Sequence, residues 1–226
     1  DLGGTRLRVA QVDREMNIVD RKEILTLASQ GSESTIERMK EMIRQMLPSD
    51  PNTHVAGIGI SAPGPSNPNT GVVVAPPNLP GWHNVPLVQI LQKEFGYSTY
   101  LGNDANVAAL AEIARGAARG FRHVIFITVS TGIGGGVVSD GRLLLGKDGL
   151  GAELGHIQMI VDGDRVSSLE REAAGPALAR KAVAAMEAGQ TSIMRDMVQG
   201  DLTQVNGSTV GKAAVQGDKL ALAIVE

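Results

Sequence analysis

The chain opens on Asp1-Leu2-Gly3-Gly4-Thr5, a carboxylate beside two glycines, and strand-like residues follow it. Glycines let backbone N–H groups approach an anionic ligand closely, and an adjacent acid can orient hydrated Mg²⁺. Such a segment could be a phosphate loop with Asp1 facing the metal through water, or a plain hairpin turn. A second glycine turn, Ser130-Thr131-Gly132-Ile133-Gly134-Gly135-Gly136, follows an apolar run. The C-terminal end of a buried strand is where open α/β sheets bind ligands, although a tight hairpin also needs glycine. Two such turns, about 130 residues apart, suggest two phosphate loops from two halves of one fold. A third group is polar: Asn103-Asp104-Ala105-Asn106 and Glu153-Leu154-Gly155-His156. Asp104 stands between a strand and a helix, where a carboxylate can cap the helix N-terminus. Glu153 and His156 have i,i+3 spacing and share one face of a helical turn. Their donors and acceptors would suit the hydroxyls of a sugar.

Positioning these residues falls to alternating strands and helices. Leu7, Val9 and Val12 predict a strand, followed by a turn at Asp13–Asn17 and a second strand over Ile18–Leu27. Ser34 and Glu37 have capping-box spacing, and Ile36, Met39, Met42, Ile43, Met46 and Leu47 share one helical face that Pro48 ends. Val55–Ser61 predicts a strand running into the turn Ala62-Pro63-Gly64-Pro65, then Gly71–Ala75 a strand and Pro76–Trp82 a rigid loop. Val85–Phe95 and Ala105–Arg119 predict helices around a brief strand at Thr99–Leu101. His123–Ser130 has no polar face, the pattern of a strand covered on both sides. Gly134–Ser139 and Arg142–Leu145 predict a hairpin closed by Asp140-Gly141. Helices are expected over Ala173–Ala188 and Thr209–Glu226, with Gln190–Ser208 a loop-rich insertion. The whole reads as α/β, a mixed sheet with helices around it.

Bulk properties narrow the classes of function. With 226 residues, 42% hydrophobic, the chain can bury a sizeable core in one or two domains. A formal charge of −3 offers no cationic surface for a nucleic-acid backbone. No apolar run approaches the roughly 18 residues that span a bilayer, and no signal peptide pattern opens the chain. With no cysteine, disulfides and thiolate metal sites are excluded. These features predict a cytoplasmic protein without nucleic-acid or membrane partners. The chain begins without Met on a glycine motif and stops inside a helical pattern, which predicts a piece of a longer protein.

DLGGT, GIGISAPGP, NLPGW, GNDANVAALAE, STGIGGG, GAELGHI and LEREAAG occur in this order along the chain. Together they resemble the sugar-kinase branch of the repressor, open reading frame, kinase (ROK) family. The resemblance runs from Asp1 to about Arg180, and more loosely to the closing KAAVQGDKLALAIVE. It implies the two-lobed actin-like ATPase (ribonuclease H-like) fold, an α/β fold of mixed sheets flanked by helices with a ligand cleft between lobes. Residues 1–102 would form a smaller lobe with the first phosphate loop. Residues 103–226 would form a larger lobe, incomplete at its C-terminal end, with the sugar site and the second loop.

The implied activity is ATP-dependent phosphorylation of a hexose, glucose first, by in-line transfer with Asp104 as general base. Asp1, Gly3, Gly4 and Thr5 would form the first phosphate loop, with Asp1 facing Mg²⁺, and Thr131 and Gly132 the second. Asn103, Glu153, His156 and Glu170 would hold sugar hydroxyls, Gly64 would line the pocket, and Asn78 in NLPGW belongs to the same region. That block resembles glucokinases more than amino-sugar kinases. Relatives imply a homodimer or homotetramer. Most of them carry a cysteine-bearing zinc loop after GHI. Here Asp162–Ser168 replaces it, and His156 alone cannot build a four-ligand zinc site. Two alternatives stand beside this reading: a sugar-responsive transcriptional repressor of the same family, and a kinase for another hexose such as N-acetylmannosamine or fructose. Polyphosphate could replace ATP as donor.

Overall fold

The computed structural model describes residues 1–50 and 52–226. It divides into two compact units: Asp1–Arg122 with Val138–Gly151, and His123–Val137 with Ala152–Glu226. The lobes proposed from sequence are a different division, and their border at Gly102/Asn103 lies inside the first unit.

In the first unit β1 (Arg6–Val12) and β2 (Ile18–Leu25) form an antiparallel ribbon with Arg6 opposite Leu25. Helix α1 (Gly31–Met46) buries Ile36, Met39, Met42, Ile43 and Met46 on one face. Its start differs from expectation. Because the helix begins at Gly31, Ser34 lies inside its first turn and bonds the Gln30 side chain at 3.2 Å, so no capping box forms. Strand β3 (Ile58–Ala62) leads to the short pair β4 (Ser66–Asn67) and β5 (Val72–Val73). Helix α2 (Leu87–Phe95) returns the chain to β6 (Thr99–Asn103), which pairs parallel with β3, Ala62 opposite Asn103. This register sets the Gly64 turn beside the junction where β6 runs directly into α3 (Asp104–Arg115).

The core of this unit gathers Leu2, Leu7, Ile60, Val73, Leu79, Trp82, Leu87, Leu91 and Leu101. Leu79 and Trp82, each 1% exposed, come from the loop Pro76–Trp82. Burying a large apolar side chain stabilises by roughly 1.5–3 kcal/mol, so these two anchors fix a loop that has no regular structure. Asn78 sits beside the first of them.

Strands β7 (Val124–Val129), β8 (Ile133–Ser139) and β9 (Arg142–Leu143) follow in sheet order. In the first unit, β9 pairs with the end of β8 around Asp140-Gly141, both at positive φ, as the hairpin expectation requires. Strand β7 departs from expectation: Ile125, Ile127 and Val129 are 66%, 52% and 58% exposed, and its other face is half-buried. A continuous apolar run satisfies the pattern of a doubly covered strand whether or not both faces are packed.

The second unit continues through the antiparallel hairpin β10 (Gln158–Val161) and β11 (Arg165–Ser168), which occupies the segment after GHI. The helix expected over Ala173–Ala188 is α5 (Gly175–Glu187), divided at Ala174 from a short preceding helix, α4 (Leu169–Ala173), that was not expected. Ala174 between them is extended, and Pro176 in the first turn of α5 is favoured there because its missing N–H has no partner to lose. The loop-rich stretch holds a short α6 (Met194–Met197). The last expected helix is also divided, into α7 (Gly207–Val215) and α8 (Lys219–Val225). Gly217 at φ 81° turns the chain, and Asp218 caps α8 by accepting from the Ala221 N–H at 2.8 Å. These helices enclose a core of small residues, Ala182, Ala213 and Ala221, with Met186, Met194, Val210 and Leu220.

Candidate functional site

The first glycine turn is held by neighbours from three segments. The Leu2 N–H donates to Ser61 O at 2.8 Å, the Gly3 N–H to Arg6 O at 2.9 Å, and the Thr26 N–H to Thr5 O at 2.9 Å. A Cβ on Gly4 would lie 2.9 Å from both Asn78 Cβ and Asn78 O, so only glycine lets the turn close onto NLPGW. The structure thus brings Asn78 to the turn, a contact that spacing alone does not reveal. The exposed Asp1 carboxylate takes Arg8 Nη1 at 2.8 Å through Oδ2. Its Oδ1 has no partner among the described residues. One free carboxylate oxygen fits a cation held through water, not a cage of acids. Among the described residues no group of three or more His, Asp or Glu could hold a metal, and His156 gains no companion ligand that would make a zinc site.

The strand–helix junction of the same unit carries Asn103 and Asp104. Sequence alone offers Asp104 as the helix cap. The structure gives that role to Asn103, whose Oδ1 accepts from the Ala105 N–H at 3.0 Å and the Asn106 N–H at 3.4 Å. Asn103 has the extended backbone of an N-cap, which places Asp104 one position inside the helix. Asp104 is exposed, and among the described residues its carboxylate accepts from the adjacent Ala105 N–H at 2.8 Å. It makes no ion pair among the described residues. Gly64 faces this junction: a Cβ there would stand 3.0 Å from Asn103 Nδ2. Two buried polar atoms nearby in sequence, Ser66 Oγ and Asn106 Oδ1, have no hydrogen-bond partner. Asn106 belongs to the polar group read from the sequence, whereas a lone Ser66 carries no spacing signal.

In the second unit the turn Ser130-Thr131-Gly132 closes on itself through the Ser130 N–H and Gly132 O, 2.8 Å apart. It is tied to α5 by the Gly175 N–H donating to Ser130 O at 2.8 Å. Glu170 reaches the same turn. Its Oε2 accepts from the Ile133 N–H at 2.8 Å, and a Cβ on Gly132 would lie 2.5 Å from that oxygen. Gly155 packs there too, since a Cβ would meet Ile133 O at 2.2 Å and Glu170 Cβ at 3.3 Å. Glycine at 132 and 155 is therefore what allows Glu170 to approach. Glu153 and His156 flank Gly155 on a 3₁₀ turn, both exposed, linked by the His156 N–H donating to Glu153 O at 3.1 Å. The structure so gathers Gly132, Gly155 and Glu170, with Glu153 and His156 at the edge.

Beside this turn lies a groove of about 740 Å³, lined by Ser130, Thr131, Gly175, Pro176, Asn206 and Gly207 among others. Gly207 and Gly175 touch so closely that a Cβ on Gly207 would be 2.7 Å from Gly175 Cα. Asn206 caps α7 in a reciprocal capping box with Thr209. Asn206 and Gly207 fall in the expected loop Gln190–Ser208, although the Asn206-x-x-Thr209 spacing is itself a capping signal. The volume falls in the range of small-molecule sites.

Comparison with known proteins places the chain in a family. The ROK family model matches residues 1–226. The chain is 37% identical over 229 residues to a glucokinase of Thermotoga maritima, covering 99% of this chain and 71% of that protein. It is 34% identical to an N-acetylmannosamine kinase of Citrobacter koseri, covering 100% of this chain and 72% of that one. Among solved structures, a ROK family glucokinase from Streptomyces griseus in complex with glucose and AMPPNP superposes with a TM-score of 0.76 at 29% identity. That match covers 99% of this chain and 72% of that one, and the shared fold is the actin-like ATPase fold. Two glycine turns, the Asn103-Asp104 junction and these likenesses lead to one conclusion: the chain belongs to the ROK family of sugar kinases.

Proposed function

We propose that the protein transfers the γ-phosphoryl group of ATP to the primary hydroxyl of a hexose, glucose first, with Asp104 as general base. The observation that carries this reading is the state of Asp104. Asn103 takes over the capping of α3, so the Asp104 carboxylate stays exposed at the end of a strand, without a cationic partner among the described residues. In the proposed step the hydroxyl oxygen bonds to the γ-phosphorus, the bond to the β-phosphate oxygen breaks, and ADP leaves. Asp104 takes the hydroxyl proton and later releases it to solvent. The hydroxyl sheds that proton as the new bond forms, so the base must above all be well placed.

Asn103, Glu153, His156 and Glu170 would hold sugar hydroxyls, with Gly64 and Asn78 lining the pocket. Gly4 and Thr5 would meet phosphate through their backbone, in a turn that the Gly3 N–H bond to Arg6 O closes, as would Thr131 and Gly132. The groove beside Thr131 has the volume to take the nucleoside of the donor. Mg²⁺, when bound, would neutralise phosphate charge, with Asp1 holding it through water.

A coupled assay of ADP release by the full-length protein, with Mg-ATP and a panel of glucose, N-acetylmannosamine, fructose, allose and mannose, tests the proposal. Turnover with glucose above the others is expected. The likeness to an N-acetylmannosamine kinase makes that sugar the second acceptor to examine, and preference for it would reassign the substrate while keeping the chemistry. Sugar binding without turnover on any hexose would overturn the kinase reading.

A further inference from the structure

Glu172 is a charged residue only 9% exposed, and the proposed chemistry does not use it. Its Oε1 accepts from Ser167 Oγ at 2.6 Å and from Arg165 Nη1 at 3.0 Å, and Lys181 Nζ stands 3.6 Å from Oε2. These partners come from two elements, β11 and α5. Bonds to the backbone carbonyls of α4 reinforce them: Lys181 Nζ donates to Glu172 O and Arg180 Nη2 to Arg171 O, each at 2.9 Å. Arg165 is itself held by Asp162 Oδ2 at 2.9 Å, in the turn of the hairpin. Ser167 and Arg165 draw the Glu172 carboxyl below its ordinary value, so it stays ionised and bound to them.

Helix α4 has only five residues and cannot be stable on its own. At 3.6 residues per turn, positions two apart point about 200° away from each other. Glu170 and Glu172 therefore leave α4 on opposite sides. One meets the Ile133 N–H in the glycine turn, and the other meets the β10–β11 hairpin and α5. A weak helix clamped by a carboxylate on each side has its rotation fixed only while both clamps hold.

We propose that Glu172 is a positioning residue for Glu170, anchoring α4 so that Glu170 is presented at the Ile133 amide in the orientation that binds sugar. This rests on the reading of Glu170 as a sugar ligand given above. Glu172 touches neither substrate in this account and acts through its neighbour.

The test is a double-mutant cycle in the full-length protein, reading KM for glucose, KM for ATP and kcat separately. E172A is expected to raise the glucose KM on the order of tenfold, about 1.4 kcal/mol of coupling, with the ATP KM changed less than about twofold. In an E170Q background the same change should move the glucose KM by less than about twofold, because nothing remains to be positioned. A structural role would give equal losses in both backgrounds and would raise the ATP KM as well; that outcome overturns the proposal alone. E170Q with an unchanged glucose KM would remove Glu170 as a sugar ligand and take the proposal with it. If E172A does not fold, the cycle is run with E172Q, which keeps a polar group for Ser167 but drops the charge, and with R165A. The same two outcomes then decide it.

Discussion

Asp104 and Glu172 both sit near the start of a helix, and the regions around them are built in opposite ways. Asp104 follows a parallel strand whose register with β3 is fixed over five residue pairs from Ile58↔Thr99 to Ala62↔Asn103, and a neighbouring asparagine has taken the cap. Its carboxylate is rigidly delivered yet chemically uncommitted. Glu172 belongs to a short helix with little stability of its own, and its carboxylate is occupied by a hydroxyl, a guanidinium and an ammonium. Where the backbone is already fixed, an acid can be left free for chemistry. Where it is not, an acid is used up in fixing it.

The largest expected effect follows from the free acid. Asp104→Asn keeps the shape and the bond to Ala105 N–H while removing the capacity to accept a proton. A positioned base contributes roughly 10²–10⁴-fold, so kcat should fall by about that factor, with glucose affinity by calorimetry unchanged. Near-normal kcat would show that Asp104 is as idle chemically as it is in the hydrogen-bond pattern. Next in size is Gly132→Val. The added Cβ would lie 2.5 Å from Glu170 Oε2, displacing a carboxylate bound to Ile133 and crowding the loop where phosphate would sit. AMPPNP affinity should weaken by on the order of tenfold, about 1.4 kcal/mol of lost binding. Unchanged nucleotide binding would end the reading of this turn as the second phosphate loop.

Asn103→Ala attacks the division of labour at the first site. Losing an N-cap costs about 1 kcal/mol of stability, measurable by denaturant unfolding. Asp104 is the nearest acceptor and would rotate to take the vacant amides. A preference of about 1 kcal/mol would withdraw it most of the time, so kcat should drop roughly fivefold. Lost stability with kcat intact would mean that the cap and the base are independent.

How much of this could be read from the chain differs between the two regions for the same reason. Gly4, Gly132 and Gly155 are legible because close approach admits no other residue, and the Asn103-Asp104 junction because strand and helix periodicities meet there. The assignment of the cap to Asn103 in place of Asp104 is not legible, since both residues cap well and one residue of phase decides. Around Glu172 the partners lie five, seven and nine residues away on a hairpin and a second helix. Those contacts depend on the β10–β11 register, Met159↔Ser167 and Val161↔Arg165, and on the break at Ala174. The break does have a signal in Gly175-Pro176, which favours a helix start over a helix interior. The exposed face of β7 has none, because Ile125, Ile127 and Val129 look the same in sequence whatever packs on them.

The smallest effect concerns pH, and it sharpens the contrast at the occupied acid. Ser167 first and Arg165 second lower the Glu172 carboxyl from its ordinary value of 4.5. A carboxyl whose value is depressed in the folded state contributes stability that is present above 4.5 and is lost as pH falls through its lowered native value. Glu172→Gln cannot titrate and lacks that contribution at every pH. The melting temperature of the parent protein should exceed that of the variant by on the order of a few degrees at pH 7. The gap should close as pH is lowered below 4.5 and through the depressed native value, because the parent loses what the variant never had. Every other carboxylate titrates in both proteins and largely cancels in the difference. A gap that stays constant from pH 7 down to acid unfolding would show that Glu172 is held by packing alone, and the ion pairs with Arg165 and Lys181 would then be incidental to the placement of α4.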